Sequence, residues 1–161
     1  MLERLRASPD PFDKHRYDPG HFTASGYVVS PDDRDVLLIF HESLQRWLQP
    51  GGHFDDDDAT ALAAARRELE EEVGLANLPL HPAAADLFDL DVHTIPAREP
   101  YPQHLHYDLR FLFRAETRTY RAGSDAVQAA WVPIRELSAH TDWASASRVA
   151  IKLRALSVGD D

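Results

Sequence analysis

The chain has 161 residues, of which 43% are hydrophobic and 27% charged, and its formal net charge is −10. This size and composition suit one globular domain with its own core. The acidic balance argues against a surface that binds a nucleic-acid backbone, and the lack of cysteine excludes disulfides, thiolate metal sites and cysteine nucleophiles. No apolar run approaches the length of a membrane span, and the N-terminus lacks a signal core. We therefore expect a cytoplasmic protein that binds neither nucleic acid nor a membrane.

The first twenty residues differ in composition from the rest of the chain. Residues 2–6 predict a short helical turn that ends before Pro9 and Pro11. The polar, turn-rich sequence that follows predicts an extended segment without a core of its own. We therefore divide the chain into an N-terminal lead-in at 1–20 and a single domain at 21–161.

The domain predicts a succession of strands interrupted by two helices. Runs of apolar and β-branched residues bounded by turn residues predict strands at 21–29, 36–40, 46–49, 87–92, 104–113 and 129–134. The first two runs flank the turn-like sequence PDDRD and predict a hairpin. The later helix is predicted at 142–157. This order favours an α/β sandwich with a mixed sheet, and no dinucleotide-binding or P-loop glycine motif is present.

The earlier helix follows Pro50-Gly51-Gly52 and has clear signals at both ends. Asp57, Asp58 or Thr60 can cap its N-terminus, and Gly74 can end it in a left-handed conformation. The apolar stripe of this helix recurs at helical spacing and consists of Leu62, Ala65, Leu69 and Val73.

Three glutamates fall on one turn of this helix. Glu68 lies three and four residues before Glu71 and Glu72, a spacing that makes the side chains neighbours. Carboxylates this close repel one another, and a hard divalent cation such as Mg²⁺ or Mn²⁺ relieves the repulsion. Arg67 can hold a carboxylate through two hydrogen bonds. Gly51 and Gly52 permit a backbone path that could bring a main-chain carbonyl to the metal or let a phosphate come close. The alternative is a charged, solvated helix face.

This segment resembles the Nudix box of MutT-like hydrolases. The box begins with Gly, has Glu after five residues, and continues after seven more with Arg-Glu-hydrophobic-any-Glu-Glu-any-Gly-hydrophobic. The second half is matched throughout by Arg67, Glu68, Leu69, Glu71, Glu72, Gly74 and Leu75. In the first half, Gly52 opens the box and Asp58 stands where the family has Glu. One extra residue before Arg67 indicates a slightly longer loop ahead of the helix.

The resemblance implies an α/β/α sandwich with a mixed sheet and a hydrolase that cleaves a diphosphate bond in a nucleoside diphosphate linked to another moiety. It implies that Glu68, Glu71, Glu72 and the Gly52 carbonyl bind Mg²⁺ or Mn²⁺. It also implies catalytic roles for Glu71, which would help to activate water, and for Arg67, which would orient a carboxylate. A bound metal would explain how so acidic a chain binds a polyanion. A homodimer is compatible with the resemblance.

Five residues outside the conserved pattern of the box are candidate substrate contacts: His53, Trp47, His104, His106 and Asp108. His53 follows the two glycines directly, and Trp47 could stack on a base or be structural. His104, His106 and Asp108 share one face of a strand, a spacing that suits ligand binding or a second metal. The alternative for these three is an exposed polar face of a half-buried sheet.

Several roles stay open at the level of sequence. Asp125 and Glu116 are candidates for an acid or base outside the box. One alternative function is a non-catalytic nucleotide sensor, against which the intact glutamates count. A second is an isoprenoid-diphosphate isomerase, against which the missing cysteine counts. A third is a zinc hydrolase centred on His53, His104 and His106.

Overall fold

The structure, a computed structural model, describes residues 10–42, 44–121, 128–141 and 145–156. The predicted turn at 2–6 and the candidate Asp125 lie outside these residues. Within them, seven strands form one mixed sheet. No helix in this part of the chain has the length and apolar character needed to cross a membrane.

The strands are β1 (Gly20–Val29), β2 (Asp35–His41), β3 (Arg46–Leu48), β4 (Gly51–His53), β5 (Asp89–Ile95), β6 (His104–Arg114) and β7 (Gln128–Pro133). The helices are α1 (Ala61–Val73), α2 (Leu137–His140) and α3 (Ala146–Leu156), with 3₁₀ turns at Pro82–Ala84 and Ile134–Glu136. Every predicted strand and both predicted long helices are present. The elements that the sequence did not predict are short, and they include β4, in which two of three residues are glycine.

Strand β1 lies at a fork in the sheet. On one edge it pairs in parallel with β6 along its whole length. On the other edge it pairs with β2 only at Val28 and Val29, so the predicted hairpin opens away from its turn. The opening is filled by β3, which pairs with β2, and by β4, which pairs with β1. The fork therefore places Gly51 and Gly52 beside the middle of β1.

Helices cover both faces of the sheet. On one face, α1 packs Leu69 and Val73 into a core with Phe111 and Phe113 of β6. On the other face, α3 contributes Val149, Ala150 and Leu153 to a second core that includes Tyr27, Val36 and Leu112. Alternate residues of each strand face opposite sides, so one sheet serves two cores. The predicted α/β/α sandwich with a mixed sheet is confirmed.

The ends of α1 fix which way its side chains face. Thr60 is the N-cap, and its hydroxyl accepts a hydrogen bond from the Ala63 amide at 3.1 Å. Gly74 has φ of 66°, and its amide donates to the Glu70 carbonyl. Both predicted end signals are confirmed. Leu69 is fully buried against the sheet, so the neighbouring glutamates flank the seam between α1 and the strands.

A buried ion network ties β5, β6 and α3 together. The Arg110 guanidinium has no exposed surface, and it donates to Asp108 at 2.7 Å and to Asp91 at 3.0 Å. It also donates to the Ser145 hydroxyl at 2.7 Å. Burying a charge is unfavourable unless its partners are complete, and here one guanidinium satisfies groups on three segments.

We expect Arg110→Met to destabilise the fold by about 3–5 kcal/mol, because Asp108 would stay buried with only neutral partners among the described residues. The measurement is the free energy of unfolding in urea. The control is Arg135→Met, whose side chain is 77% exposed. Equal losses in the two variants would contradict a structural role for the Arg110 network.

Candidate active site and metal centre

Two glycines let the helix carboxylates reach the backbone of β4. The Gly51 amide donates to Glu72 Oε2 at 2.8 Å. A Cβ at Gly52 would lie 2.5 Å from Glu68 Oε1, and a Cβ at Gly51, where φ is 155°, would lie 2.3 Å from the Ser25 Cβ. Any larger residue at either position would displace the strand or a glutamate. The cradle for the carboxylates therefore requires glycine at both positions.

Arg67 holds the carboxylates and the preceding loop in one arrangement. Its Nη1 atom donates to Glu68 Oε1 and to Glu71 Oε2, each at 3.0 Å. Its Nη2 atom donates to Asp58 Oδ2 and to the His53 carbonyl, each at 2.8 Å. Arg67 thus contacts two glutamates, where the sequence predicted one carboxylate. Asp58, which replaces the family's Glu, binds Arg67 and has a side chain that is only 7% exposed.

Burial and the Arg67 charge act on these carboxylates in different proportions. Burial raises the pKa of Glu68, and the hydrogen bond from Arg67 only partly opposes this effect. Burial acts in the same direction on Asp58, but hydrogen bonds from Arg67 outweigh it and the pKa of Asp58 is lowered. Asp58 is therefore stable as the ionised partner of Arg67. The negative charge of ionised Glu68 is not fully offset against the cost of its burial. An added cation beside Glu68 would supply the missing compensation.

A cleft of about 710 Å³ brings most of the predicted site residues together. Its lining includes Gly51, Gly52, His53, Arg67, Glu68, Glu71, Glu72, His106 and Asp108. The side chain of Glu71 is 56% exposed, so it is more accessible than Glu68, the other glutamate that Arg67 holds. The residues fit a divalent cation, because Glu68 and Glu72 reach the glycine backbone of β4, Glu71 lines the same cleft, and carboxylate oxygens are ligands that Mg²⁺ prefers.

Three other candidate residues are not among the described residues that line the cleft. Trp47 packs on Phe40, with ring centroids 5.6 Å apart, and against the core under α3. His104 is buried behind His106. Glu116 is exposed beyond the end of β6.

Asp108 lines the cleft but is already occupied by protein groups. Its carboxylate accepts hydrogen bonds from Thr23, Ser25 and Gln49 as well as from Arg110. The alternative of an exposed polar face on β6 is wrong, because Asp108 is 3% and Arg110 0% exposed. The β6 polar residues instead form a buried floor under the cleft.

Sequence reasoning missed the β1 residues of this floor. Thr23 and Ser25 bind Asp108 directly, and His21 lies opposite His106 in the parallel pairing of β1 with β6. The signal was the alternation of polar residues in β1, which matches that of β6. It becomes informative only when the two strands are known to be neighbours.

Comparison with known families identifies the chain. The family model of the NUDIX domain matches residues 20–153. The chain belongs to the Nudix family, and the predicted enzyme class, a hydrolase that acts on acid anhydrides, is confirmed. Members of this family typically use divalent metals. A comparison with curated protein sequences gives no significant match.

Solved structures show the same fold at low sequence identity. The Ap4A hydrolase of C. elegans in a binary complex has a TM-score of 0.64 at 16% identity, over 86% of this chain and 98% of that one. The E. coli dihydroneopterin triphosphate pyrophosphohydrolase has a TM-score of 0.64 at 17% identity, over 80% and 91%. A bifunctional NMN adenylyltransferase/ADP ribose pyrophosphatase of Francisella tularensis, complexed with AMP and a manganese ion, has 0.54 at 19%, over 97% and 45%.

We expect Mg²⁺ to raise the melting temperature of the chain, because it neutralises the carboxylates of the cradle. At ten times the dissociation constant the gain is about 1.4 kcal/mol, or about 3–6 °C for a chain of this size. Differential scanning fluorimetry measures it. Glu68→Gln should abolish the shift, whereas Glu70→Gln, exposed on the same helix, should keep it. If the rise in melting temperature persists in Glu68→Gln, the ion binds elsewhere and the assignment to this site is wrong.

Proposed function

We propose that this chain is a Mg²⁺-dependent Nudix hydrolase that cleaves a diphosphate bond in a nucleoside diphosphate linked to another moiety. The supporting observation is that Glu68 and Glu72 reach the glycine strand β4 at the edge of a cleft that Glu71 also lines. These glutamates and the Gly52 carbonyl would hold the ion. When bound, the metal neutralises the diphosphate and lowers the pKa of the attacking water.

The protein residues around the metal would have distinct tasks. Glu71, which is accessible from the cleft, would complete the metal shell or accept a proton from water. Arg67 would position Glu68 and Glu71 through its Nη1 atom, and Asp58 would hold Arg67. Arg67 therefore acts through the carboxylates that it orients.

The cleft offers a surface for the rest of the substrate. Ile39, Leu44 and Leu48 form its apolar side on β2, β3 and their connection, whereas Ile95 lines it from β5 at the other edge of the sheet. Lys14 adds a positive charge to the lining. We propose that the diphosphate lies at the glutamates and that a base or another flat group lies on the apolar side. His53 and His106 line the space between and are proposed contacts. A role for Trp47 in binding would need a rearrangement of its packing on Phe40.

The names of the structural relatives give Ap4A, dihydroneopterin triphosphate and ADP ribose as substrates, and these compounds are the starting points for a substrate panel. The panel should also include ADP-sugars, oxidised nucleotides and coenzyme derivatives. A small nucleotide-type ligand is the expected partner. The cytoplasmic location and the homodimer stay predictions.

We expect Glu72→Gln to lower Mg²⁺-dependent turnover by about 100-fold or more, since losing a metal ligand should cost at least as much as losing an outer contact. The glutamine oxygen can still accept from the Gly51 amide, so the fold should survive. The measurement is steady-state hydrolysis of the best panel substrate, with circular dichroism to check folding.

Glu70→Gln is the matched control, because it makes the same change on an exposed face of α1. Its turnover should equal that of the unmodified chain. Near-normal turnover in Glu72→Gln would refute the metal assignment. Failure of the unmodified chain to hydrolyse any compound of the panel would refute the proposed activity.

A further inference from the structure

Three histidines gather at the start of β1 and β6, apart from the glutamates. His21 and His106 are paired residues of the two parallel strands, and His104 is on the same face two residues earlier. One ring nitrogen from each can be chosen so that all three lie within 4.8 Å of one another. The ring centroids of His21 lie 4.7 Å from His106 and 5.1 Å from His104.

Backbone carbonyls fix the protonation of two of these rings. His21 Nδ1 lies 2.9 Å from the Arg16 carbonyl, and His104 Nδ1 lies 2.8 Å from the Pro102 carbonyl. A carbonyl can only accept a hydrogen bond, so Nδ1 carries the proton in each ring. In the neutral rings, each Nε2 then has a free lone pair. This arrangement of a carbonyl behind a histidine is the usual support for a metal ligand.

The lone pair of His21 has no other use in the described part of the chain. His21 is 1% exposed, and its Nε2 atom is buried without a hydrogen-bond partner among these residues. A buried polar atom without a partner is rare and unfavourable. His104 Nε2 lies 3.3 Å from His106 Nε2. A proton on His106 could satisfy that pair, but it would leave His21 without a partner.

We propose that His21, His104 and His106 bind one divalent cation of the zinc type, at a second metal site separate from the glutamate cradle. Imidazole nitrogens favour Zn²⁺ and its neighbours over Mg²⁺, which prefers oxygen. Tetrahedral Zn–N bonds of about 2.0–2.1 Å place ligand nitrogens about 3.3 Å apart, which is the separation of the His104 and His106 Nε2 atoms.

Protonation of His21 and His106 does not oppose this site. Burial lowers the pKa of His106 to about 2 and also lowers the pKa of His21. These two rings are therefore neutral at physiological pH, which is the form that binds metal. Three protein ligands leave one position for water or for an oxygen of a ligand.

The second site would adjoin the cleft of the first. His106 contributes to the cleft lining, and the His53 ring lies 5.1 Å from His21 and 5.2 Å from His106 between ring centroids. This second site does not depend on hydrolysis, because the geometry of the three histidines carries it alone. It can be tested without a substrate.

The test is a Co²⁺ titration of the chelator-treated full chain, with excess Mg²⁺ present to occupy the carboxylates. Tetrahedral Co²⁺ absorbs visible light, and Zn²⁺ should displace it with a stoichiometry of one per chain. His21→Gln and His104→Gln should each weaken binding by about 100-fold or more, since changing an outer contact alone costs about 10–100-fold. His140→Gln, on the exposed surface of α2, should leave binding unchanged.

X-ray absorption at the zinc edge, on the unmodified chain, tests the ligands even if a histidine variant fails to fold. A shell that contains three imidazoles supports the proposal. An oxygen-only shell, no stoichiometric binding, or binding that Glu68→Gln removes while both histidine variants retain it would overturn the proposal. None of these outcomes alters the evidence for a hydrolase, which the substrate panel tests separately.

Discussion

The close approach of the α1 carboxylates to the backbone of β4 is the constraint on which the site depends. It requires a fork in the sheet, because only there can a short strand lie beside both β1 and the helix. It requires glycine at positions 51 and 52, since a Cβ at either would overlap a neighbour. It also requires a fixed helix phase, which the Thr60 cap, the Gly74 terminus and buried Leu69 supply. The cradle is thus a product of packing as much as of the glutamates themselves.

The negative charge of the α1 carboxylates is only partly neutralised by protein groups. Arg67 neutralises part of the charge, and Asp58 uses some of its hydrogen-bonding capacity to anchor the loop. The balance leaves the half-buried Glu68 with a raised pKa. A fully paired set of carboxylates would make a more stable helix and a weaker cation site. The arrangement would therefore suit the proposed cation at some cost to the stability of the helix.

Local signals in the sequence predicted much of this structure. Contacts between residues far apart in the chain could not be predicted. Helix spacing, caps and the Nudix box gave α1 and the glutamates, since these depend on residues close in the chain. The partnership of Ser25 with Asp108 spans 83 residues and depends on β1 lying parallel to β6. No local pattern predicts that pairing. The spacing of His104 and His106 on one strand is visible in the sequence. His21 completes their cluster only through the pairing of β1 with β6, so no local pattern indicates it.

The double engagement of Asp108 limits how the cleft can diversify. Its carboxylate lies in the lining of the cleft with Ser25 and Gln49, which donate hydrogen bonds to it. The same carboxylate also accepts a hydrogen bond from the buried Arg110 guanidinium. A change at Asp108 that reshaped the binding surface would therefore unsettle the interior as well. Leu44, in the connection from β2 to β3, lines the opposite wall and is not among the described partners of Asp108 or Arg110. A change of ligand preference should accordingly be easier to make at Leu44 than at Asp108, whose replacement would also disturb the interior.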